Sequence, residues 1–126
     1  GPYPQKWGTS SNYVAIDSNG SITFTGSAYI VARYDKETQT TGFTVSKRTT
    51  RVNATGGAVT ATLPTATSAA GKHFTIKKID ASGNAVTVDG DGAETIDGAA
   101  TYSLATQYKS VTVASNGTSW DIIGAT

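Results

Sequence analysis

Ser110-Val111-Thr112-Val113-Ala114-Ser115-Asn116-Gly117-Thr118-Ser119-Trp120-Asp121-Ile122-Ile123 is the stretch whose reading decides the fold class. Val111 and Val113 alternate with polar residues at the two-residue period of a half-buried strand, and Trp120 and Ile122 do the same. Between them Ser115-Asn116-Gly117 supplies turn chemistry, because Asn and Gly tolerate the positive φ that a tight reversal needs. The segment therefore predicts a β-hairpin.

The same grammar extends outward. Tyr13-Val14-Ala15-Ile16 and Ser21-Ile22-Thr23-Phe24-Thr25 flank Asp17-Ser18-Asn19-Gly20 and predict a second hairpin. Further strand candidates are residues 29–34, Phe43-Thr44-Val45, and Val59 to Leu63, the last stopped by Pro64, which has no N–H for a ladder. His73 to Asp80 places Phe74 and Ile76 on one face and Ile79 on the other, which predicts a bulge near Lys77-Lys78. Val86 with Val88, Thr95-Ile96, and Tyr102 with Leu104 complete the set. Asp35 to Gly42 and Thr65 to Gly71 read as loops. No window of 11 or more residues keeps helical spacing of apolar side chains.

Composition agrees. Of 126 residues, 37% are apolar and 15% charged, with 14 glycines, a profile of short strands and tight turns. The expectation is an all-β chain of short antiparallel strands and hairpins forming a sandwich or barrel-like domain. Residues 3–52 form an N-terminal β subregion and 53–126 a C-terminal β domain, the two being separable or one continuous domain. Gly1-Pro2, in a chain without methionine, resembles the remnant of a cleaved purification tag and marks a piece of a longer protein. A formal charge of +1 is too small to favour nucleic acid, and no run is long enough to insert into a membrane. With no cysteine, neither a disulfide nor a zinc-thiolate site exists.

Candidate sites weigh lightly. Asp89, Asp91 and Glu94 could offer oxygens to a hard cation, but their spacing is not that of an EF-hand, and Asp-Gly repeats are ordinary turns. Asp80 and Asp97 join them as carboxylates for glycoside cleavage, with nothing to place any of them in an apolar pocket. His73 is a single histidine without a ligand set. No nucleophile elbow, P-loop or dinucleotide fingerprint is present, so the chain reads as non-enzymatic and cofactor-free. Lys47, Arg48 and Arg51, and Lys77 with Lys78, read as solvated basic faces. Trp7, Tyr34 and Tyr108 are the aromatics a sugar or protein could meet, whereas Tyr102, Leu104 and Trp120 read as core.

The run from Ala58 to Gly124 carries Thr62-Leu63-Pro64, Gly71-Lys72, Thr75-Ile76-Lys77-Lys78-Ile79-Asp80, Thr95-Ile96-Asp97-Gly98 and Ser119-Trp120-Asp121-Ile122-Ile123. This pattern resembles a C-terminal-type β domain of bacteriophage fibre and appendage proteins. Ile16 to Ala28 is similar, more loosely, to a segment of phage structural proteins. The resemblance implies a homotrimer on the exterior of a virion, as a tail fibre, head fibre or capsid decoration. Its implied partners are other virion proteins and a host-surface glycan or protein. Two readings stand beside it: a carbohydrate-binding module with exposed aromatics, and a fragment of a polysaccharide depolymerase.

Overall fold

The computed structural model describes residues 5–9, 11–27 and 36–126, the side chains of the first stretch from Gly8 onward. Among these residues the regular structure is entirely β. The chain divides into two compact units, Gly1–Arg33 and Tyr34–Thr126. Among the described residues no helix is long and apolar enough to cross a membrane.

The first unit is a three-stranded antiparallel sheet of β1 (Gln5–Gly8), β2 (Tyr13–Ile16) and β3 (Ile22–Thr25) in that order. The expected hairpin is present, with Ile16 opposite Ile22 and Val14 opposite Phe24. Its turn is held by Asp17, whose Oδ1 accepts the N–H groups of Asn19 and Ser21, both at 2.9 Å. The strand expected over residues 29–34 lies outside the described residues.

The second unit contains β4 (Lys36–Gln39), β5 (Phe43–Thr44), β6 (Thr49–Val52), β7 (Val59–Thr62), β8 (His73–Lys78), β9 (Val86–Asp89), β10 (Thr101–Leu104), β11 (Ser110–Ser115) and β12 (Trp120–Ala125). They form a four-stranded sheet, β10-β9-β7-β5, and a five-stranded sheet, β12-β11-β8-β6-β4. Inward side chains of both sheets share one core. Phe74, Ile76, Val111 and Val113 from the larger sheet meet Val59, Ala61, Val86, Val88 and Leu104 from the smaller, with Trp120 fully buried among them. The two sheets thus pack as a β-sandwich.

Four expectations change. The strands are not uniformly antiparallel: β4–β6, β6–β8, β5–β7 and β7–β9 are parallel pairs, because from β4 to β9 the chain crosses to the opposite sheet after every strand. Successive strands of one sheet then run in the same direction. The boundary near residue 52 does not separate the units, since β4 and β6 hydrogen-bond into the five-stranded sheet. Residues 36–39, expected as loop, are the edge strand β4. Finally, β8 runs without a bulge to Lys78, whose side chain follows Phe74 and Ile76 into the interior. The irregularity lies instead between β11 and β12: Thr112 pairs Gly124 and Val113 pairs Ile122, leaving Ile123 unmatched.

Candidate functional site

Of the three carboxylates weighed as cation ligands, Asp89 ends strand β9, while Asp91 and Glu94 lie in the loop that follows it. Both Glu94 carboxylate oxygens turn to the Ala66 N–H, at 3.0 and 2.9 Å, and so pin the 65–71 turn segment to the loop after β9. The Glu94 N–H donates to the Asp91 carbonyl at 3.0 Å. Among the described residues no group of three or more His, Asp or Glu side chains converges to hold a metal, and Asp89, Asp91 and Glu94 are not brought together as a ligand set. Asp97, at φ 47°, uses Oδ1 to accept the Ile122 N–H at 3.0 Å and braces the final hairpin. His73 is exposed on β8, opposite Ala114.

Of the aromatic candidates, Tyr108 is the one whose side chain is among the described residues. Tyr108 is 62% exposed at a positive φ of 68°, and the Lys77 ammonium lies 5.6 Å from its ring centroid. That spacing suits a cation–π contact worth about 0.5–1 kcal/mol at such an exposed place. Trp7 stands in β1 opposite Val14, in the first unit, and Tyr34 lies outside the described residues. Trp120, Leu104 and, in part, Tyr102 are core, as expected.

What the sequence reading missed is a buried ion pair. Lys78 is fully buried rather than part of a solvated basic face, and its Nζ lies 2.7 Å from Asp80 Oδ2. Ser82 donates to the same oxygen from its N–H, at 3.0 Å, and from its hydroxyl. Asp80 Oδ1 accepts the Ala54 N–H at 2.7 Å. The Lys78 ammonium first, then the Ser82 hydroxyl and the two backbone N–H groups, hold the Asp80 carboxyl well below the usual carboxylate range; burial pulls the other way. A buried ion pair is weak evidence of stabilisation, because desolvation offsets much of the attraction. Its structural effect is clearer: it positions the loop after β6. Asn84 Nδ2 also donates to the Ala54 carbonyl, at 2.8 Å. Lys78, followed two residues later by Asp80 and then Ser82, was the available signal.

That braced loop is one wall of an open groove of about 430 Å³, lined by Thr40, Thr41, Gly42, Asn53, Thr55 and the Gly56–Ala58 backbone. The other wall is the β4–β5 connection, tied across by the Asn53 N–H to the Gln39 carbonyl at 2.9 Å. The lining carries no charged and no aromatic residue. Among the described residues no hydrogen bond engages the hydroxyls of Thr40, Thr41 or Thr55, or the Asn53 amide nitrogen; its Oδ1 caps the Thr55 N–H at 3.0 Å. These groups can hydrogen-bond a neutral polar ligand and offer no acid, base or nucleophile with a partner.

The chain matches no known protein-family model. No curated protein matches it either.

Proposed function

We propose that this chain is a non-enzymatic structural β module of a bacteriophage fibre or virion appendage, working as a homotrimer on the particle's exterior. Its loops would meet a host surface or another virion protein. One observation supports this most: the residues that carry the resemblance do architectural work. Leu63 and Trp120 are fully buried and Ile96 nearly so, while Gly71 and Gly98 take φ of +77° and +83° at turns. Asp80 and Asp97 bond backbone N–H groups. A sequence pattern made of core and turn positions reports a scaffold, not a reaction centre.

A second reading, a carbohydrate-binding module, is favoured by the uncharged Thr/Asn groove rather than by the exposed aromatics. The depolymerase reading has less behind it, since Glu94 is committed to Ala66.

Light scattering coupled to size exclusion tests the first reading against a chain mass of 12.9 kDa. The expected result is a mass near three chains that survives dilution. A monomer at every concentration refutes the oligomeric reading, and a glycan screen on Thr55→Val and Asn53→Ala variants then decides the second.

A further inference from the structure

Three of the five large apolar side chains that the described residues leave exposed lie in the small first unit: Ile16 at 37%, Ile22 at 58% and Phe24 at 38%. The β2–β3 register puts them on one face of the sheet. Val14 stands opposite Phe24 and Ile16 opposite Ile22, while Tyr13, Ala15, Thr23 and Thr25 take the other face. None of the eight residues of β2 and β3 is charged. This is one continuous apolar strip rather than scattered exposure.

The unit that carries it is small. It spans Gly1–Arg33 and is built on three four-residue strands. Below about 40 residues, stability usually needs a disulfide, a metal or oligomerisation. The chain has no cysteine, and no metal-holding group exists among the described residues. Of these three, oligomerisation remains.

We infer that the Val14/Ile16/Ile22/Phe24 face of the first unit is where copies of this chain meet one another, each strip covering its equivalents about a symmetry axis. Area and charge both point to a like copy. Three partly exposed side chains make a patch well short of the about 800 Å² that a standard interface takes from each partner. So small a strip suits the apolar centre of an assembly of several copies rather than a complete site for an unrelated protein. A face without charge meets its own copy with no ion left stranded in the contact. The inference locates the self-association proposed above and rests on that part of the reading.

The experiment uses the whole chain with Ile22→Lys, Ile22→Glu and Thr23→Lys, the last placing the same charge on the opposite face of the same strand. Each is measured by light scattering coupled to size exclusion. The expected result is that wild type and Thr23→Lys keep a multimeric mass while both Ile22 variants fall to 12.9 kDa. Mixing Ile22→Lys with Ile22→Glu should restore the multimer, which a variant that had merely lost its fold would not do. A multimeric wild type whose Ile22 variants stay multimeric, or whose mixed variants stay monomeric, overturns the assignment of this face and leaves self-association standing. A monomeric wild type overturns both.

Discussion

Replacing Trp120 by alanine and, separately, by phenylalanine separates two contributions of one buried indole. Trp120 is fully buried, its ring centroid 5.7 Å from that of Phe74 at a 49° tilt, yet its Nε1–H is buried without a hydrogen-bond partner. Its backbone is held independently of the side chain, by the Thr95 carbonyl and the Asp97 N–H, both at 2.9 Å. Alanine removes the ring and should cost about 3–5 kcal/mol. At about 4–8 °C per kcal/mol for a unit of this size, that is a fall of roughly 12–40 °C in Tm. Phenylalanine is the smaller side chain and leaves a space of about 40 Å³, costing about 1 kcal/mol as cavity at about 24 cal/mol per Å³. Lost apolar burial costs about 1 kcal/mol more. Against this, the variant removes an unpaired buried donor that costs about 1–3 kcal/mol, and it keeps an aromatic pair with Phe74. Trp120→Phe should therefore stay within about 1 kcal/mol of wild type. Differential scanning calorimetry, tracking the main transition, checks both variants. A phenylalanine variant losing more than about 3 kcal/mol would show that the indole N–H is paired after all, and the reasoning would fail.

Two further outcomes are expected. Because Asp80 is held below its unfolded value, near 3.9, its pairing stabilises the fold above that pH and is lost as pH falls toward the folded value. The gap in urea midpoint between wild type and Asp80→Asn should thus be widest at pH 5–7 and shrink below pH 4; an unchanged gap at pH 2.5 would remove the ion pair as its source. At Gly90, a Cβ would sit 2.3 Å from the Glu94 carbonyl oxygen, whereas at Gly56 it meets nothing within 4 Å. Gly90→Ala should cost about 1–3 kcal/mol by overpacking, while Gly56→Ala should be neutral or stabilise by up to about 1 kcal/mol, as read from thermal unfolding.

The sequence was legible where pairing is local. In the β2–β3 and β11–β12 hairpins, two-residue alternation and an Asn-Gly turn specify both strands and their partner. Alternation also identified Val86, Val88, Phe74 and Ile76 as core, because the inner positions of β8 and β9 are apolar there. It failed at β4, whose Lys-Glu-Thr-Gln offers no apolar residue to an alternation count: an edge strand needs only half-buried stems on its inner side. It failed at Lys78 for a different reason, since the inward position after Ile76 is filled by an alkyl chain whose ammonium finds Asp80 inside. Parallel pairing left no local trace, as β6 and β8 are neighbours separated by the whole of β7. The groove escaped notice because residues 40–42 and 53–58 contribute Thr, Gly and Asn, the same types that make ordinary turns.

The sheet-to-sheet alternation of β4 through β9 also sets how the second unit can come apart and how it can grow. In that region every strand is threaded between two strands of the facing layer, so neither layer can be assembled, or stripped away, while the other stands still. The segment behaves as a wound coil, and loss of order should travel along it turn by turn, with β11 and β12 free to peel as a hairpin from the far end. Its first turn finishes at β4 and β5, each at the edge of its layer and both short. An additional strand pair placed before β4 could continue the winding and leave every later strand in its present place. A chain built this way can vary in length at one end while its last hairpin, and the tryptophan beneath it, stay as they are.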